Sequence, residues 1–107
     1  MSYATGAFQE TSLMTLTSGS FRGYEFDRMV ILFSMLDGER EIACAVSTSA
    51  MDDLEKPDRV KPDEREAQFV RLRGRIEERA AHKFMAEEFE GSPPGIILRS
   101  IDFRAGA

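Results

Sequence analysis

Arg71, Arg75 and Arg79 recur at every fourth position and are followed at once by His82 and Lys83. On a helix, residues four apart share a face, so this spacing stacks three guanidiniums where they could grip a phosphate or a partner's carboxylates bidentately. The simpler account is a solvated face, with Glu78 pairing to Arg75 or His82 and Lys83 to Glu87. Like charges four apart cost a few tenths of a kcal/mol each, so the stripe is not free of consequence. The whole chain carries a net charge of −5. That balance makes nucleic acid an unlikely partner for the stripe, although a local basic patch can override it.

The other candidate chemistry is thin. Cys44 and His82 are the only classical nucleophile and base types present in single copies. The strand pattern points Cys44 into the core, and His82 falls on the polar side of a helix, so a Cys/His pair is not expected. One His, one Cys and scattered carboxylates supply no ligand spacing for zinc, and Asp52-Asp53 lacks the rest of a calcium loop, so no metal is expected. Gly91-Ser-Pro-Pro-Gly95 has glycines, but its prolines remove two N–H donors and it follows a helix rather than starting one. It reads as a rigid turn. No catalytic residue and no cofactor emerge, and the chain is not expected to be an enzyme.

These residues are positioned by a hairpin and a long helix. Two apolar runs, Arg28 to Leu36 and Glu39 to Val46, flank Asp37-Gly38, which predicts a two-residue type I′ turn. That turn sets Leu36 opposite Glu39, Phe33 opposite Ile42, Ile31 opposite Cys44 and Met29 opposite Val46. One face then carries Met29, Ile31, Phe33, Ile42, Cys44 and Val46, and the other a flatter patch of Val30, Leu32, Ala43 and Ala45.

After the hairpin, residues 47 to 55 predict a short helix capped by Ser49, with Asp52 and Asp53 in the favourable first turn. Met51 and Leu54 fold back onto the sheet. Two prolines, Pro57 and Pro62, interrupt the chain before a long helix starting near Asp63, with Asp63 and Glu66 at capping-box spacing. Phe69, Leu72, Ile76, Ala80 and Phe84 form its core stripe. Gly91 and Pro93-Pro94 stop it by Glu90. A helix over 63 to 90 would reach about 40 Å, against about 27 Å for an eight-residue strand. Phe89 lies round from the stripe, which fits an end or bend near residues 85 to 87. Residues 96 to 103 read as a returning strand.

A second stripe, Ala67, Val70, Gly74, Ala81 and Met85, lies beside the core stripe. Gly74 costs about 1 kcal/mol relative to Ala inside a helix, so a close backbone approach is the natural explanation. Either residues 8 to 26 or a second copy of the chain supplies it. The flat hairpin patch likewise needs a cover.

Length and composition fit one soluble domain, with residues 1 to 20 as a Ser/Thr-rich flexible tail, including a short edge strand at Leu13 to Thr17, and 21 to 107 as the folded unit. No apolar run approaches a membrane span, no signal peptide is seen and one cysteine makes no internal disulfide, so a cytoplasmic location is expected.

The order Tyr24-Glu-Phe-Asp-Arg28, Asp37-Gly38, Val46-Ser-Thr-Ser-Ala-Met-Asp-Asp-Leu54, then Phe69, Arg73, Ile76, Ala80 and Asp102-Phe103 resembles a small proteobacterial family known as domain of unknown function 1488. The resemblance spans roughly residues 21 to 103 and departs from the family in the long Ser/Thr-rich start and in segment 56 to 62. It implies no activity, cofactor or catalytic residue.

The expected fold is α+β in two layers: an antiparallel sheet of three to four strands built on the hairpin, one long helix on one face and one short helix. The expected function is a non-enzymatic interaction or accessory module that self-associates as a homodimer, through Val30, Leu32, Ala43, Ala45, Val70, Gly74 and Ala81, and meets an unidentified protein partner. A regulator that binds nucleic acid or a phosphorylated ligand through Arg71, Arg75 and Arg79 is the second reading. A cofactor-free enzyme ranks last.

Overall fold

A computed structural model describes residues 16 to 56 and 59 to 104. Strands β1 (Leu16–Glu25), β2 (Val30–Asp37) and β3 (Arg40–Ser47) are followed by helix α1 (Thr48–Glu55). Helix α2 (Arg65–Met85) and strand β4 (Ile96–Leu98) come next, and a 3₁₀ turn over Ser100–Phe103 is the last of the described elements. The strands make one sheet in the order β1-β2-β3-β4. The fold is therefore α+β, with a four-stranded sheet, one long helix and one short one. Its antiparallel part is β1 to β3, whereas β4 runs parallel to β3. A parallel neighbour needs a long crossover connection, and α1, the proline segment and α2 together provide it.

The hairpin forms where expected but two residues out of the expected register. Asp37 faces Arg40, Leu36 faces Glu41, Phe33 faces Cys44 and Ile31 faces Val46. Gly38, at φ 65°, is the first central residue of the turn, and Glu39 keeps a negative φ, the pattern of a II′ turn rather than I′. Arg40 closes the turn by donating to the Asp37 carboxylate at 3.1 Å. Because side chains alternate with period two, a slip of two residues leaves both faces as assigned. One residue departs from its expected place: Met29 leaves the core face for a left-handed turn position (φ 56°) and is exposed, while Met35, on the core face in either register, is buried.

Strand β1 includes residues 16 to 20, which composition alone assigns to the tail; residues 1 to 15, with Leu13 to Thr15 of the expected edge strand, lie outside the described residues. What makes a strand of this polar stretch is its pairing with β2, interrupted by register shifts between Ser18 and Gly23. Gly19 sits so close to β2 that a Cβ there would lie 2.5 Å from the Ser34 carbonyl oxygen, and the Ser20 N–H donates to Ser34 Oγ at 2.9 Å. Arg73 reaches down from α2 to the Gly19 carbonyl at 3.0 Å and to Glu77, which accepts from Ser18 Oγ.

Helix α1 is capped by Ser47 rather than Ser49: the Ala50 N–H donates to Ser47 Oγ at 3.0 Å. Asp52 and Asp53 accordingly fall beyond the first turn. At the start of α2, a 3₁₀ turn over Pro62–Glu64 comes first, and the reach-back is made by Glu64, whose carboxylate accepts from the Lys61 N–H at 3.0 Å. The Asp63/Glu66 spacing does not carry the cap. The helix stops at Met85, before the glycine and prolines that suggest a later end. Glu88 N–H donates to the Lys83 carbonyl and Glu87 N–H to the Phe84 carbonyl, both at 3.0 Å, with Glu87 left-handed at φ 60°. This is the Schellman arrangement, formed without glycine.

The core lies between α2 and one sheet face. Phe69, Ile76 and Ala80 are fully buried against Ile31, Phe33, Val46 and Leu98, and Phe69 stacks at a tilt on Phe33 and Phe21 at 5.1 and 5.7 Å. The returning strand is only three residues long. Beyond it, the Ser100–Phe103 turn packs back so that Phe103 joins the edge of the core.

Candidate functional site

The second face of the sheet is where the flat patch lies. Val30 and Ala45 are buried within the chain itself, Leu32 is half-buried and Ala43 exposed. Parallel addition of β4 extends this face with Ile97, a residue the sequence does not single out. Two shallow hollows cross it. One, of about 630 Å³, is lined by Arg28, Val30, Ser47, Ile97, Arg99 and Ile101. The other, of about 180 Å³, lies over Leu32, Ala43, Ala45 and Ile97 beside the 90–93 loop, and Arg28 borders both. The rim carries both signs: Arg28 pairs with Glu25 at 3.6 Å, and Arg99 grips Glu90 with two bonds of 2.9 Å. Arg99 holds the Glu90 carboxyl below the usual carboxylate range. Ile101 stands exposed at the edge (63%).

The three arginines of the stripe have different surroundings. Arg71 is held by α1, with Nε and Nη2 donating to the two Glu55 oxygens at 2.6 and 2.8 Å. Its hydrogen bond lowers the Glu55 pKa. Arg79 turns toward His82 Nδ1 at 3.1 Å, and its Nε has no partner among the described residues. Arg75 alone points at a hollow, of about 420 Å³, which it shares with Lys56, Arg104 and Asp53. The other cations beside Arg75 at this hollow come from other segments of the chain. Nothing in a helical period could announce Lys56 or Arg104.

The second stripe of α2 also divides. Val70 is exposed (56%). Gly74, Ala81 and Met85 border a groove of about 530 Å³, whose other walls include Leu16, Ser18 and Met35. β1 of the same chain forms a wall of this wider groove, but among the described residues no atom comes within 4 Å of a Cβ built on Gly74, so the close backbone approach expected there is not made by them.

Cys44 lies buried in the core, where burial pushes its thiol up to about 12. His82 is exposed on the far helix.

Two polar clusters are assembled by tertiary contacts, and one of them takes Lys83 away from the solvated face and the Glu87 partner that helical spacing predicts. Gln68 is fully buried and Arg65 nearly so. Arg65 Nη1 donates to Asp52 Oδ1 at 2.8 Å and to Gln68 Oε1 at 2.6 Å, and Gln68 Nε2 donates to Asp52 Oδ1 at 3.0 Å. Burial raises the Asp52 pKa, but the bonds from Arg65 and Gln68 outweigh it and the net shift is downward. At the other end of α2, buried Lys83 donates to the Ile97 carbonyl at 2.9 Å and lies 3.2 Å from Asp102 Oδ1. These clusters fasten α2 to α1 and to the chain end. The faint signal in the sequence was polar residues, Gln68 and Lys83, adjoining the apolar stripe.

A family model described as "Protein of unknown function (DUF1488)" matches residues 18–97. The chain belongs to the DUF1488 family. A crystal structure of a DUF1488 protein of unknown function from Shewanella loihica PV-4 is similar to it, with a TM-score of 0.64 at 19% sequence identity. The match covers 78% of this chain and 94% of that one. At that identity the likeness speaks for the fold. No curated protein matches the chain. The matched segment contains the hairpin, both helices and most of β4, so this DUF1488 chain keeps the sheet and α2 inside the family's common part. Arg99, Ile101 and Arg104 follow it.

Proposed function

We propose that this DUF1488 protein is a non-enzymatic interaction module that self-associates through the second face of its sheet. The observation that carries the reading is the shallow apolar floor of Leu32, Ala43 and Ile97, flanked by exposed Ile101. A small exposed side chain such as Ala43 lets a second sheet approach closely, and sheets stack at about 10 Å when they do. A second copy is the occupant that the rim favours. In a two-fold interface each patch meets itself, and a rim carrying Arg28 and Arg99 beside Glu25 and Glu90 offers each charge its opposite on the other copy. Further protein partners would dock on the dimer.

Sedimentation equilibrium over a concentration series tests this. Dimer is expected in the micromolar range, and Ala43→Glu or Ile101→Glu, both at exposed positions, should return it to monomer with a native circular dichroism spectrum and a thermal transition that no longer depends on concentration. A wild-type protein that stays monomeric at several hundred micromolar would refute the reading.

A further inference from the structure

Lys56, Arg75 and Arg104 come from three segments far apart in the chain: the left-handed C-cap of α1, the middle of α2 and the residue after the final 3₁₀ turn. They line one hollow of about 420 Å³ together with Asp53, Leu54, Ser100 and Phe103. The chain is acidic, and most of its cations lie in ion pairs, Arg71 with Glu55 and Arg65 with Asp52 among them. None of these three pairs with a carboxylate within 4 Å among the described residues. Like charges gathered around one hollow repel one another, and a bound anion relieves that repulsion.

We propose that this hollow binds a small phosphomonoester. Among the described residues that line it, three cations face one carboxylate, Asp53, an excess of two positive charges, the charge that a phosphomonoester dianion neutralises. Arginine forks match phosphate oxygens, and the Lys56 ammonium adds a point charge. The Ser100 hydroxyl is a further donor. Leu54 and Phe103 form an apolar wall for the organic part, and Asp53 can accept from a hydroxyl on it. The site is separate from the sheet-face reading and does not depend on it.

The test is a ¹H–¹⁵N titration of the full chain at low ionic strength with phenyl phosphate, inorganic phosphate and phenol. Saturable shifts are expected at Lys56, Ser100, Arg104 and the Arg75 side chain, tighter for phenyl phosphate than for inorganic phosphate and absent for phenol. Arg75→Gln and Arg104→Gln should each weaken binding about tenfold. Arg71→Gln, whose guanidinium is already held by Glu55, should leave it unchanged. The proposal is overturned by an absence of saturable shifts up to about 10 mM ligand, by shifts spread evenly over all exposed arginines, by equal affinity for phosphate and its phenyl ester, or by indifference to Arg75→Gln. All three arginines lie at the surface or in surface pairs, so the variants keep the fold, and the thermal transition of each confirms it.

Discussion

Replacing Asp52 with alanine should cost this protein about 2 kcal/mol, a value that follows from what Asp52 leaves behind. Its carboxylate Oδ1 accepts from both Arg65 and Gln68. The Arg65 side chain is only 9% exposed and Gln68 is fully buried, so neither can turn to water when the acceptor goes. Breaking a fully buried ion pair costs roughly 3–5 kcal/mol. The Asp52 side chain is 41% exposed, however, so solvent screens its half of the pair and the figure is discounted to about 2 kcal/mol. For a chain of this size that lowers the melting temperature by roughly 8 °C. Urea unfolding at pH 7 should show a lower midpoint with an unchanged slope. The pH dependence gives an independent check. A carboxylate whose pKa is depressed in the folded state adds stability above its unfolded value, near 4, and loses it as pH falls through the folded value. The gap between wild type and Asp52→Ala should therefore be full at pH 7 and close below about pH 4. A gap under about 0.5 kcal/mol at pH 7, or one that persists unchanged at low pH, would refute the reasoning.

Two glycines should respond to alanine with opposite signs. Gly19→Ala drives a Cβ into the Ser34 backbone and should cost about 1–3 kcal/mol, whereas Gly74→Ala meets open space within α2 and should gain up to about 1 kcal/mol, both read by thermal unfolding. Cys44 should resist a thiol reagent at pH 8 in native protein and react at once in denaturant, because its buried thiol stays protonated to about pH 12. Rapid native labelling would show that β3 opens readily. Removing Lys83 as Lys83→Ala should loosen the chain end, so that amides of 97 to 103 exchange faster than those of β2.

Local pattern determined much of this protein. Alternation placed Ile31, Phe33, Ile42, Cys44 and Val46 on one face, and that assignment survived a two-residue register difference because both registers share one parity. The helical period of Phe69, Leu72, Ile76 and Ala80 marked the face of α2 that enters the core. Both are repeats of neighbouring residues, which the chain carries along its own length.

What depended on distant segments was decided only in three dimensions. The turn at Gly38 admits two registers of the same parity, and the structure holds the one that sets Asp37 opposite Arg40. The direction of β4 rests on the crossover that precedes it, and strand formation in polar β1 rests on β2 and Arg73. Arg71, Arg75 and Arg79 share a spacing but not a fate. One is held by Glu55 and one leans on His82, and the third faces a hollow completed by Lys56 and Arg104. A charge's role is set by what lies within a few ångströms of it, and for a side chain on one helix those neighbours come from other parts of the chain.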